Sequence, residues 1–281
     1  MATKSGSYHY DSFAEKTQVQ EFERLYRQAS TLLDTERQLW PDMGIVTGQR
    51  VLDLGCGSGV ITRELAKQVY PAQTVGMDIS QALIEKGLRI YAERGQRSQK
   101  NIRFQQGSVY SLPFADNSFD IVYARLLFQH LTAPLEALTN VLRILKPGGK
   151  LCILDVDKGW SSLYPEPKSS LELDEAIIQK QVSQGGDPWV GRKLSHYLAS
   201  AGFETVNTRV ELVDSNRLGL AHFFGMLAFG GSDRSEESEL AALQEKFRPD
   251  VQTLLRDPSA WAGFGLFVAT GRKATHRALP N

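Results

Sequence analysis

"VLDLGCGSGVIT", residues 51–62, decides the fold. A short apolar run passes into a stretch where Asp53, Gly55, Gly57 and Gly59 take alternate positions, and a helical pattern, "VITRELAKQV", follows at once. An apolar run of that length reads as a buried strand. Glycine lets the backbone turn through angles closed to other residues and removes the Cβ from the path of a ligand. The stretch is therefore strand, bare turn and helix, and such a turn is where open α/β sheets bind small molecules.

The same alternation continues outward. "TVGMDIS", "IRFQQGS", "FDIVYA" and "KLCILDVD" have strand length and are separated by helical patterns such as "ALIEKGLRIYAERG". Parallel strands need crossover connections, and these are almost always right-handed. Pro147, Gly148 and Gly149 in "LKPGGK" end one helix and launch the next strand. Two later runs, "ETVNTRVELV" and "GFGLFVATGR", add strands. The expected class is α/β: a doubly wound, mostly parallel seven-stranded sheet with helices on both faces and a helical cover. The pattern predicts one domain, in which 1–43 is a cover helix stopped by Pro41 and 44–157 the binding core. Residues 158–231 form an inserted cover that begins with the loop "KGWSSLYPEPKSS", and 232–281 supply a last helix and strand.

Composition sets the remaining bounds. The chain has 281 residues, 42% hydrophobic and 23% charged, as in an ordinary globular protein. Lys plus Arg and Asp plus Glu are both 32, so no net field draws a polyanion, and no nucleic-acid partner is expected. Two cysteines, Cys56 and Cys152, are too few for a disulfide scaffold. The first residues lack an apolar signal region, and "LGLAHFFGMLAFGG", 218–231, is too short to span a bilayer. A soluble cytoplasmic protein without a membrane partner is expected; the oligomeric state stays open.

A dinucleotide fingerprint would read G-x-G-x-x-G, yet after Gly55 and Gly57 the third glycine falls on Val60, with Gly59 one residue early. A nicotinamide-dependent oxidoreductase is the rival this departure disfavours. A bare turn beside one carboxylate suits instead a cofactor with no pyrophosphate and a cationic amine, as S-adenosylmethionine is.

At this point the residues resemble the class I S-adenosylmethionine-dependent methyltransferases, whose first motif is an acid followed by three alternating glycines. The likeness runs in unbroken order over about 44–157. It implies that Asp53, Gly55, Cys56, Gly57 and Gly59 hold the cofactor, and that Asp78, with Ile79 beside it in "GMDIS", accepts from both ribose hydroxyls. In "FQQGSVYSLPF" the family's usual acid is replaced by Ser108, whose hydroxyl still accepts from an adenine amine, with the Val109 N–H beside it. "EFERLYRQA" together with Arg125 resembles small-molecule methyltransferases whose N-terminal helix closes over the cofactor. That likeness implies that Arg24 and Gln28, one helical turn apart, reach the methionine carboxylate. Plainer roles stand beside these: Asp78 as a helix cap, Arg125 in a surface ion pair, Arg24 and Gln28 on a solvated face.

After the fourth strand "YARLL" lacks the Pro-Pro-aromatic motif of base and glutamine methylators, and Tyr123, Ala124 and Arg125 offer no metal-binding carboxylate, so no metal is expected. The expected reaction is in-line methyl transfer to an O, N or C nucleophile of a small, partly hydrophobic molecule. A non-catalytic cofactor-binding protein is the alternative. If a base is needed, His9, His130 and His222 are the candidates, and "SYHYDSF", "KGWSSLY" and "GLAHFFGMLAFGG" are the expected substrate cover.

Overall fold

The computed structural model describes residues 6–93, 95, 100–226 and 239–275. After a 3-10 turn at Tyr10–Ser12 come α1 (Glu15–Met43), β1 (Val51–Leu54), α2 (Val60–Gln68), β2 (Thr74–Asp78), α3 (Gln81–Glu93) and β3 (Ile102–Gln106). Then follow β4 (Phe119–Arg125), α4 (Pro134–Ile144), β5 (Leu145–Tyr164), α5 (Lys168–Ser183), α6 (Leu194–Ser200) and β6 (Glu204–Asp214). The chain closes with α7 (Ser215–Leu218), α8 (Leu220–Met226), α9 (Glu239–Leu254) and β7 (Trp261–Arg272).

The seven strands lie in the order β3-β2-β1-β4-β5-β7-β6. The first five run parallel, and β7 is antiparallel to both β5 and β6, so the sheet is mostly parallel, as the alternation predicts. Successive residues of a strand face opposite sides. Leu52, Leu54, Val122 and Ala124 enter one apolar layer with α4 and α6, while Val51, Ile121, Tyr123 and Leu154 enter the other with α1 and α2. Strand β1 is buried on both faces and pairs β2 on one side and β4 on the other. Chain order reverses there, and a crevice opens beyond the strands' carboxyl ends.

Three local expectations are corrected. Pro41 does not stop α1 but lies in its last turn, where its missing N–H forfeits a single hydrogen bond and the buried Leu39, Trp40 and Met43 hold the helix in place. The helix ends at Gly44, left-handed at φ +80°, whose N–H donates to Pro41 O at 2.9 Å. Residues 158–164 are not a loop but the continuation of β5, since Ser161–Tyr164 pair with Trp261–Phe264 of β7. The strand "FDIVYA" leads to no immediate helix: Leu126 turns at φ +52°, Phe128–His130 make one 3-10 turn, and α4 waits until Pro134. Among the described residues no helix is long and apolar enough to cross a membrane.

Helix α3 lies directly on the glycine turn. A Cβ at its Gly87 would stand 2.3 Å from Ser58 O, and backbone cannot give way as a side-chain tip can. Glycine-to-alanine in a helix ordinarily gains about 1 kcal/mol. Here Gly87→Ala is expected to lose on the order of 2 kcal/mol by overpacking, read as a lower urea midpoint; a raised midpoint would contradict the contact.

Candidate active site

A cavity of about 360 Å³ lies beyond the carboxyl ends of β1, β2 and β4. Asp53, Gly55, Cys56, Gly57, Asp78, Ile79, Ser108, Val109, Arg125, Arg24 and Gln28 all border it. Gly59 does not. A Cβ there would meet the Phe104 ring at 2.8 Å, so its bareness serves the packing of β3 under the turn. Gly57 is the opposite case: at φ +53°, its absent Cβ would find nothing nearer than Leu83 Cδ2 at 3.7 Å. The turn therefore offers open backbone to the cavity.

Two carboxylates flank that backbone. Asp78 accepts the Gly57 N–H on one oxygen at 2.8 Å and the Ser80 N–H on the other at 2.9 Å, which fixes its plane and leaves each oxygen further lone-pair capacity. Burial raises its pKa above the ordinary carboxylate value. Asp53 is more deeply enclosed, accepts the Thr62 hydroxyl at 2.6 Å and is pushed by burial up to about 7. The Ser108 hydroxyl accepts from Tyr110 N–H at 3.3 Å, holding the turn after β3.

Both arginines of the site have their charge met inside the protein. The Nε of Arg125 donates to Glu36, which is fully buried, Tyr123 OH donates to the second Glu36 oxygen at 2.7 Å, and Arg125 also reaches Gln28 O at 3.4 Å. Arg24 donates twice to buried Glu21, at 2.6 and 2.8 Å, and Tyr8 OH adds a third bond to that carboxylate at 2.7 Å. The sequence reading missed both acids. Glu21 and Arg24 are three apart on one helix face, which was a usable signal; Glu36 carries none.

His130 is the one histidine candidate that reaches the cavity. Its Nδ1 lies 3.0 Å from Ser7 Oγ, its carbonyl accepts the Ser7 N–H at 2.8 Å, and burial, with Arg24 nearby, pushes its pKa down to about 4. A neutral ring there pins the N-terminal segment. His9 and His222 are exposed and outside the cavity lining, because Tyr10 on one segment and Phe223 and Phe224 on the other turn inward instead. They are withdrawn as candidate bases.

A second cavity, about 270 Å³, shares Arg24, Gln28, Leu126, Gln129, Ile177 and Gln181 with the first. Its walls include Leu32, Phe223, Phe224, Met226, Phe247 and Phe264. Of the expected cover, Tyr8 borders the first cavity, and Ser161–Leu163 and Phe223–Phe224 border the second; residues 227–231 lie outside the described residues.

Residues 52–153 match the family described as "Methyltransferase domain". An uncharacterized methyltransferase, C1B3.06c, of Schizosaccharomyces pombe is 34% identical over 164 residues, 56% of this chain and 58% of that protein. The ubiquinone/menaquinone biosynthesis C-methyltransferase UbiE of Pseudomonas paraeruginosa is 36% identical over 121 residues, 43% and 46% of the two chains. The chain spans about half the length of the curated relatives it matches. Among solved structures, a Haemonchus contortus phosphoethanolamine N-methyltransferase 2, in complex with phosphomonomethylethanolamine and S-adenosylhomocysteine, shares the fold with a TM-score of 0.54. It is 19% identical, over 82% of this chain and 50% of that one. The family match covers residues 52–153, from β1 into β5, and so the core of the sheet and not its cover.

The raised Asp53 makes a stability prediction with a definite sign. Its native pKa of about 7 exceeds the ordinary 3.8, so its contribution is complete below about 4 and is lost as pH rises to about 7. Asp53→Asn keeps an acceptor for Thr62 and removes that dependence. Its stability relative to the parent is expected to improve by on the order of 1–3 kcal/mol between pH 4 and 8 in thermal melts; a difference independent of pH would refute the assignment.

Proposed function

We propose that this protein transfers a methyl group from S-adenosylmethionine to an oxygen, nitrogen or carbon nucleophile of a small, partly hydrophobic acceptor. One observation carries the reading: at the switch point of the sheet, a cavity floored by bare backbone and two carboxylates shares six lining residues with a second cavity walled largely by apolar side chains. The open side of Gly57 fits a ligand pressed against the turn, and Asp78 has oxygens for two vicinal hydroxyls. Gly55, Cys56, Ile79, Ser108 and Val109 would hold the adenosine part. Asp53, Arg24, Gln28 and Arg125 would surround the methionine part, Arg24 oriented by Glu21 on its own helix and Arg125 by Glu36 across from β4.

When bound, the cofactor supplies an activated sulfonium methyl: the acceptor's lone pair bonds to carbon as the carbon–sulfur electron pair returns to sulfur, and the acceptor's proton leaves to solvent. The chain's own task is alignment and exclusion of water. His130, with its pKa at about 4, is a poor proton acceptor at neutral pH and acts by holding Ser7 and Tyr8 over the cavity. Helix α1, fixed over the sheet by the Glu36 contacts, would hold one wall of both cavities in place. The methyltransferase names of relatives that match the core support this chemistry.

Titration calorimetry with S-adenosylmethionine and S-adenosylhomocysteine is expected to show binding, and NAD none. Asp78→Ala should weaken that binding by about 1.5–3 kcal/mol, the worth of charge-assisted hydrogen bonds; unchanged affinity removes Asp78 from the site. Transfer of labelled methyl across an acceptor panel separates an enzyme from a protein that only binds the cofactor.

A further inference from the structure

We infer that the second cavity receives an uncharged aromatic acceptor bearing a hydroxyl, which Gln129 and Gln181 orient on the wall common to both cavities. The inference rests on the methyl-transfer reading and adds the acceptor's class to it.

The walls supply the aromatic preference. Phe223 meets Phe264 with ring centroids 5.8 Å apart, and Phe224 meets Phe247 edge-on at 6.2 Å, so ring faces and edges line the space. A chamber of about 270 Å³ accommodates a mono- or bicyclic body. Apolar rings of this kind stabilise an aromatic guest by burial and by offset contacts.

Charge supplies the second constraint. Among the described lining residues Arg24, Lys158, Glu166 and Asp174 are the charged ones. Arg24 is neutralised by its double bond to Glu21, and Lys158 Nζ lies 2.5 Å from Asp174 Oδ1. Glu166 is left over, so the chamber has no surplus cation for a carboxylate, and an anionic guest would lose its hydration without a partner.

The common wall supplies the functional group. Gln129 is held through its backbone: its N–H donates to Asp155 at 3.2 Å, and its carbonyl accepts from Asp187 N–H at 2.8 Å. Gln181 Nε2 donates to the Gln129 carbonyl at 3.1 Å and to Gln129 Oε1 at 3.3 Å. The pair therefore presents the Gln129 amide donors and the Gln181 Oε1 acceptor. A hydroxyl donates and accepts at one atom and satisfies both; a carboxylate or ether only accepts. Both glutamines border both cavities, so the oxygen they hold lies on the boundary that a transferred methyl must cross.

The test uses the full chain, with and without S-adenosylhomocysteine, titrated with 2-naphthol, 2-naphthoate and 2-methoxynaphthalene. Binding of 2-naphthol, with 2-naphthoate at least about tenfold weaker, is expected. Gln181→Leu should weaken 2-naphthol about tenfold, the loss of one hydrogen bond, and leave 2-methoxynaphthalene unchanged. Equal binding of naphthoate, equal losses for naphthol and its ether, or no naphthol binding at all would overturn the inference. Failure of S-adenosylhomocysteine to bind would overturn the methyl-transfer reading alone, since the titrations without it still decide what the chamber accepts.

Discussion

The carboxylate of Glu36, fully buried between α1 and the end of β4, is the contact on which the rest of the site depends. Taking an ion pair out of water costs about as much as its attraction returns, so the pair is no source of net stability. Its effect is geometric. Losing either partner strands a charge at a cost of about 3–5 kcal/mol, and α1 is therefore held at one rotation over the sheet. Arg24, Gln28, Ala29 and Leu32 stand on that helix, and through them one buried carboxylate shapes both cavities.

Other acids at the strand ends divide the work according to their surroundings. Asp53 and Asp78 lie on neighbouring strands, yet Asp53 is enclosed with a single hydroxyl partner, whereas Asp78 takes backbone N–H bonds on both oxygens. The first is poised to gain or lose a proton near neutral pH, and the second is fixed as a double acceptor. On β5, burial pushes Asp155 up to about 7 while it steadies Gln129, and Asp157 holds Arg192 with bonds at 2.6 and 2.8 Å ahead of α6. Through these bonds β5 positions the segments 128–130 and 191–193 that follow or face it.

The two cavities also differ in how the fold builds them. The first is made largely of turns that leave parallel strands, a placement shared by proteins of this architecture. The second is made of the antiparallel end of β5 and β7, together with α1, α5, α8 and α9, and its chemistry belongs to this chain's cover. The second cavity is thus built from elements attached to the sheet, where members of a common fold differ most in what they can bind.

What the sequence determined by itself is local. The stretch 51–62 announces strand, open turn and helix because glycine and apolar runs act on the backbone directly, and the strand–helix alternation announces the sheet through the rules of crossover connections. Eleven of the twelve residues expected to hold a cofactor border one cavity, nine of them because motif spacing follows consecutive strand ends. Tertiary structure alone decided the rest. Glu36 joins Tyr123 and Arg125 across 87 and 89 residues, and Gln181 joins Gln129 across 52, separations that leave no periodic trace in a chain. The polar stretch 158–164 became strand because β7 offered it a ladder, Pro41 stayed helical because its neighbours were buried, and Gly59 turned out to serve Phe104. In each of these the partner that supplies the free energy is distant in sequence, and only folding brings it near.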